Sequence, residues 1–209
     1  MSSIGRRSLV VAISMILASC ALPSTKMATT TSTPTAAVGS TSTSPPLVAA
    51  KSGGDVTGVA VSWVLNGQVL LDAGDGAGSL IDTMLASDAT SLRARVLAGL
   101  DALRRTSGGD TTGIRFRQAA LSTRVDSSDG TAAVVEVWWV GVVSIAGALP
   151  PTASWSTSTV MLTNTDGRWF IADETTTQGP SPLPSSSAAA VTSEELDTRL
   201  QGFTPWGAP

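Results

Sequence analysis

Residues 132–145 read AAVVEVWWVGVVSI, a long β-rich stretch in the middle of a 209-residue chain. Side chains alternate across a strand, so Val135, Val137 and Trp139 fall on one side and Glu136, Trp138 and Val140 on the other. The adjacent tryptophans must therefore point to opposite faces. Just upstream, GIRFRQ (113–118) sets Ile114 and Phe116 against Arg115 and Arg117, again the pattern of a half-buried strand. Asp129-Gly130 supplies a turn between these two runs. Downstream, ASWSTSTVMLTNT (153–165) and RWFIADE (168–174) are joined through Asp166-Gly167, the strongest short hairpin signal. The result is a meander of four antiparallel strands.

Before residue 113 the period is helical. In VTGVAVSWVLNG (56–67), Val59, Ala60, Trp63 and Val64 share a face and Gly67 marks an interruption. After the glycine-rich AGDGAG (73–78) breaks the chain, SLIDTMLA (79–86) repeats the pattern with Leu80, Ile81, Met84 and Leu85. A third helix over Thr90 to Arg105 stacks Leu92, Val96, Leu100 and Leu103 and pairs Asp101 with Arg105. Helices segregated to one side of an antiparallel sheet make an α+β domain, here three N-terminal helices on a curved four-stranded meander, flanked by disordered segments. About 120 residues can bury about two-thirds of their unfolded surface, enough to stand without disulfides.

The flanks read differently. Arg6 and Arg7 precede an apolar run from Leu9 to Ala18, about half the length a membrane helix needs, and MILASC (15–20) closes it on the chain's single cysteine. Leu17, Ala18, Ser19 and Cys20 resemble the lipobox of bacterial lipoproteins. That resemblance implies a signal peptide over 1–19, a diacylglycerol on the Cys20 sulfur and a chain held at the outer side of the cell membrane. Residues 20–55, with TTTSTPTAAVGSTSTSPP, then form a Ser/Thr/Pro-rich tether with little to bury. Without the first 19 residues the formal charge is 11 − 16 = −5, which argues against a nucleic-acid partner. Scarce lysine and abundant alanine, glycine and valine suggest a high-GC, actinobacterial source.

The domain spans 56–178. Over it, helices followed by a curved sheet ending in SWSTSTVML, TDGRWFIAD and TTTQGPSP resemble the cone-shaped nuclear transport factor 2-like fold, and are similar to exported proteins of actinobacterial mobile elements. The resemblance implies a module of conjugation or secretion machinery.

With no histidine and no tyrosine, a Ser/His/Asp triad, imidazole metal ligation and the Asp/His or Tyr/Asp pairs of cone-fold enzymes are excluded. Glu136 is the best single carboxylate, either an acid or base in a pocket or a partner of Arg115 or Arg117. Asp72 and Asp75 lack the further oxygen ligands of a calcium loop. Trp138, Trp139, Trp155 and Trp169 are core or line a pocket or association surface. The tail, 179–209, is a Pro/Ser-rich linker with a short helix that Thr192 and Glu195 cap as a box; Phe203 and Trp206 either dock or bind another protein. These features imply a non-catalytic surface lipoprotein that contacts another envelope protein and needs no cofactor or metal. The alternatives are a cone-fold small-molecule binder or enzyme, and a surface-exclusion lipoprotein of a mobile element.

Overall fold

The computed structural model describes residues 55–147, 149–182 and 191–207. Cys20, the expected signal peptide (1–19) and nearly all of the expected tether (20–55) lie outside the described residues.

Helix α1 (Val56–Val64) starts where the Asp55 side chain accepts a hydrogen bond from the Thr57 N–H at 3.1 Å. It is apolar on most of its circumference and buries Val59, Ala60, Val61, Trp63 and Val64, so it is the helix laid most deeply on the sheet. Helix α2 (Gly67–Asp72) and helix α3 (Ala77–Asp82) follow, with a single 3-10 turn at Gly74–Gly76 between them. Helix α4 (Thr90–Thr106) buries Leu92, Val96, Leu100 and Leu103 on one stripe, as their spacing requires.

Three expectations need correction here. The interruption expected at Gly67 falls at Leu65 and Asn66, and Gly67 opens a second helix, so four α-helices precede the sheet among the described residues. A glycine is needed there because a Cβ would run into the Phe116 ring. The helix expected through Met84 and Leu85 ends at Asp82; the chain then pairs with the last long strand, Ile171 donating its N–H to the Met84 carbonyl (2.9 Å) and Ala86 donating to the Ile171 carbonyl (2.8 Å). Asp101 pairs with Arg104 at 3.3 Å, one residue nearer than the expected Arg105.

The strands are β1 (Ile114–Ser128), β2 (Ala132–Ile145), β3 (Leu149–Thr165) and β4 (Arg168–Gln178), an antiparallel meander in sequence order. Asp166 (φ 53°) and Gly167 (φ 79°) form the tight β3–β4 turn with both residues left-handed, as the Asp-Gly pair favours. At the β1–β2 turn the Asp129 carboxylate accepts from the Thr131 N–H, the Thr131 hydroxyl and the Ala132 N–H. A short fifth strand, β5 (Thr204–Pro205), was not expected; it pairs with β1 and makes the sheet order β4-β3-β2-β1-β5. Extra residues on β1 between Ala120 and Ser122 and between Val125 and Ser127 bend the sheet. The alternation expected in β2 holds. Val135, Val137 and Trp139 are buried toward the helices, and Glu136, Trp138 and Val140 are half-buried on the opposite side.

Candidate functional site

The sheet has an inner face under the helices and an outer face away from them. Fully buried Val135, Val137, Val160 and Ile171 fill the inner face against α1, together with Leu70, Leu71 and Leu100 from the other helices. Trp139 belongs here, and its Nε1 donates to Ser158 Oγ at 3.1 Å. Ser158 Oγ lies 2.9 Å from Thr176 Oγ1, Thr176 donates to Glu174 Oε1 at 3.1 Å, and Trp63 Nε1 donates to Glu174 Oε2 at 2.7 Å. Because Thr176 spends its proton on the carboxylate, Ser158 must donate to Thr176. The donors therefore all run one way and end on Glu174, each of whose oxygens is held by a protein group. Trp169, on the same side of β4, packs against this core.

Glu174 is a residue that alternation alone assigns to the wrong face. Ile171 points inward, so Asp173 should follow it; the extra residue Ala172 shifts the phase and turns Glu174 inward, opposite Val160. Asp173 instead meets Arg95 of α4 at 2.6 Å. Burial pushes the Asp173 carboxyl up, but the Arg95 hydrogen bond, the Glu174 backbone N–H and the Arg95 charge outweigh it and hold the group below the usual carboxylate range.

The outer face carries the other sequence-predicted residues. Glu136 ion-pairs with Arg124, its direct cross-strand neighbour, and not with the expected Arg115 or Arg117. Those two arginines sit nearer the start of β1, opposite Ser144 and Val142. Arg124 also lies 3.6 Å from Asp126, stacks over the Phe203 ring at 4.9 Å and donates to the Gln201 carbonyl at 2.9 Å. It is the node that joins the tail to the sheet, and nothing in its local sequence marks it as such.

Trp138 stands between Ser122 and Thr157, and its Nε1 donates to the Pro180 carbonyl at 3.0 Å. Thr157 donates to the Gly179 carbonyl at 2.9 Å, so the segment after β4 crosses directly over Trp138. Trp155 lies beyond this crossing, half-buried opposite Val140, with Val142 and Ala153 as the next pair along. Val142 is 36% exposed and Met161, opposite Val134 near the far end of the same face, is 44% exposed. Glu136, Trp138 and Trp155 thus share the outer face, and Trp139 and Trp169 are on the other side of the sheet.

Two surface clefts, about 650 Å³ beside Thr112, Arg115 and Pro150 and about 670 Å³ beside Leu85, Asp88 and Phe170, include neither Glu136 nor Glu174. Among the described residues no group of three metal-ligating side chains converges, and no helix is long and apolar enough to cross a membrane.

No protein-family model matches the chain, and no curated relative matches it. Among solved structures it is similar to ActVI-ORFA from Streptomyces coelicolor, at 16% identity and a TM-score of 0.34 over 43% of this chain and 65% of that one. It is also similar to the intermembrane space region of the chloroplast protein ARC6, at 15% identity and a TM-score of 0.37 over 58% of this chain and 93% of that one. The α+β class and antiparallel sheet stand on the strand order and register described above.

Proposed function

We propose that this is a non-catalytic cell-surface lipoprotein, anchored through Cys20, whose tethered domain works by contacting another envelope protein through the outer face of its sheet. The observation that supports the contact reading is the division between the two faces. The inner face, where a cone-shaped domain would hold a ligand, is filled by Val135, Val137, Val160 and Ile171, and its Glu174 has a protein donor on each oxygen. The outer face instead offers Val142, Val140, Trp155 and Ala153, bordered by Arg115 and Arg117 of β1. An apolar strip with a charged border suits association with a protein surface. The nuclear transport factor 2-like cone and the setting in conjugation or secretion machinery are what the sequence resemblance adds to this reading.

The anchor is tested by metabolic labelling with a clickable palmitate, which should mark the wild-type chain and spare Cys20→Ala. An unlabelled wild type removes the lipoprotein half of the proposal. The contact half is tested by photo-crosslinking from Val142 in cells.

A further inference from the structure

Helix α2 covers the edge of β1 at Phe116, whose N–H donates to Gln68 Oε1 at 2.7 Å, but farther along, near Ser122, the edge is closed by very little. Strand β5 covers only Ser122 and Thr123 of a 15-residue strand, and Trp206 adds one hydrogen bond from its N–H to the Leu121 carbonyl at 3.1 Å. The helix that leads into it, α5 (Ser193–Arg199), buries none of its residues. Pro205 stands directly opposite Ser122 at a non-hydrogen-bonded pair, flanked by the Trp206–Leu121 bond, so its ring meets Ser122 without offering the hydroxyl an acceptor.

The seat is also imperfectly filled. Ser122 is 7% exposed and its hydroxyl has no hydrogen-bond partner, although Pro205 on one side and Trp138 on the other share its face. The Arg124 Nε, two residues along, makes no hydrogen bond but faces the Asp126 carboxylate at 3.6 Å. A buried hydroxyl in the condition of Ser122 favours an occupant that brings an acceptor. Residues paired across strands put their side chains on the same face, so the side chain that replaces Pro205 is the one that can reach Ser122.

We propose that this edge is a strand-addition site for an extended peptide of a partner protein, with the chain's own Phe203–Trp206 segment as a displaceable resident. The resident shows what the site takes: an aromatic side chain under Arg124, then an antiparallel strand against Ser122 and Thr123. A better ligand carries a side-chain oxygen, such as that of Asn, where the resident has Pro205, because the side chains of a non-hydrogen-bonded pair lie close together. This deepens the reading of the protein as a contact module and rests on it for the existence of a partner.

The test uses the purified full chain and a fluorescent peptide, Gln-Gly-Phe-Thr-Asn-Trp, with a Pro-for-Asn peptide beside it. Loosening the resident with the double substitution Phe203→Ala and Trp206→Ala should tighten binding of the Asn peptide at least about tenfold, because the competent open form becomes populated. The Asn peptide should bind more tightly than the Pro peptide, and adding Ser122→Ala should erase that difference. A double variant that keeps its far-ultraviolet circular dichroism yet binds no better than wild type overturns the proposal, as does equal binding of the two peptides. If the double variant does not fold, Pro205→Asn in the otherwise native chain decides. It should slow hydrogen exchange at the Trp206 amide and weaken peptide binding, and unchanged exchange overturns the proposal. No membrane or cellular partner enters this assay, so its failure removes the edge site alone, whereas failure of crosslinking in cells removes the contact reading.

Discussion

Trp138 and Trp139 are consecutive in sequence and hydrogen-bond on opposite sides of one sheet, the first to the Pro180 carbonyl in the tail and the second to the Ser158 hydroxyl in the core. Trp139 is buried among the helix-facing side chains; Trp138 is half-buried beneath a single crossing segment. Trp139→Ala should therefore cost about 3–5 kcal/mol, the range for a truncated core aromatic. Trp138→Ala should cost clearly less, about 1–2 kcal/mol. Urea denaturation of the two variants checks the order, and a reversed order would mean that the faces have been exchanged.

Gly141 lies on β2 two residues beyond Trp139, and a Cβ there would stand 2.8 Å from the Trp139 ring. The rigid indole has a hydrogen bond to keep, so Gly141→Ala should destabilise by about 1–3 kcal/mol through overpacking. Gly76→Ala, where a Cβ meets nothing within 4 Å, should stay within about 0.5 kcal/mol of wild type. Equal midpoints for the two would argue against the packing around Trp139.

Glu174 is an acceptor for Trp63 and Thr176, and its role is to complete a chain of donors. Glu174→Leu leaves those donors without a partner and should cost about 1–3 kcal/mol. Glu174→Gln keeps one carbonyl oxygen and should cost less. Thermal denaturation at neutral pH separates the two. If Leu is tolerated better than Gln, the hydrogen-bonded chain does not stabilise the core.

Acid should weaken the fold through identifiable carboxylates. Asp129 is held below the ordinary carboxylate range by the Ala132 and Thr131 backbone N–H groups and the Thr131 hydroxyl, and Asp82 by hydrogen bonding and charge from Arg93. A group whose folded pKa is lowered contributes stability that is fully present above its unfolded value, about 3.9, and is lost as pH falls through the lowered folded value. Melting temperatures should therefore be flat from neutral pH to about pH 5 and fall below about pH 4. Asp129→Asn should flatten part of that fall, and an unchanged slope would contradict the turn's role.

The sheet was readable because Asp166-Gly167, the Val135/Val137/Trp139 alternation and the Ile114/Phe116 alternation are local signals that burial enforces. The α4 stripe was readable for the same reason. What was not readable depends on partners distant in sequence. Met84 and Leu85 carry helical spacing but leave the helix because Ile171 offers a ladder partner. Glu174 reaches the inner face only because Ala172 is an extra residue on β4. Glu136 could be singled out as a carboxylate in an apolar strand, yet its partner depends on the β1 register, in which extra residues bring Arg124 opposite it. Docking of Phe203 on Arg124 joins positions 79 residues apart, 203 − 124, and no local pattern announces it.

The division of labour between the faces is tested most directly by photo-crosslinking in the native cell from single positions. A photoreactive residue at Val142, on the outer face, should give a discrete heterologous adduct that excess purified domain competes away. The same probe at Ala98, exposed on helix α4, should give none. An adduct from Ala98 with none from Val142 would contradict the outer-face contact.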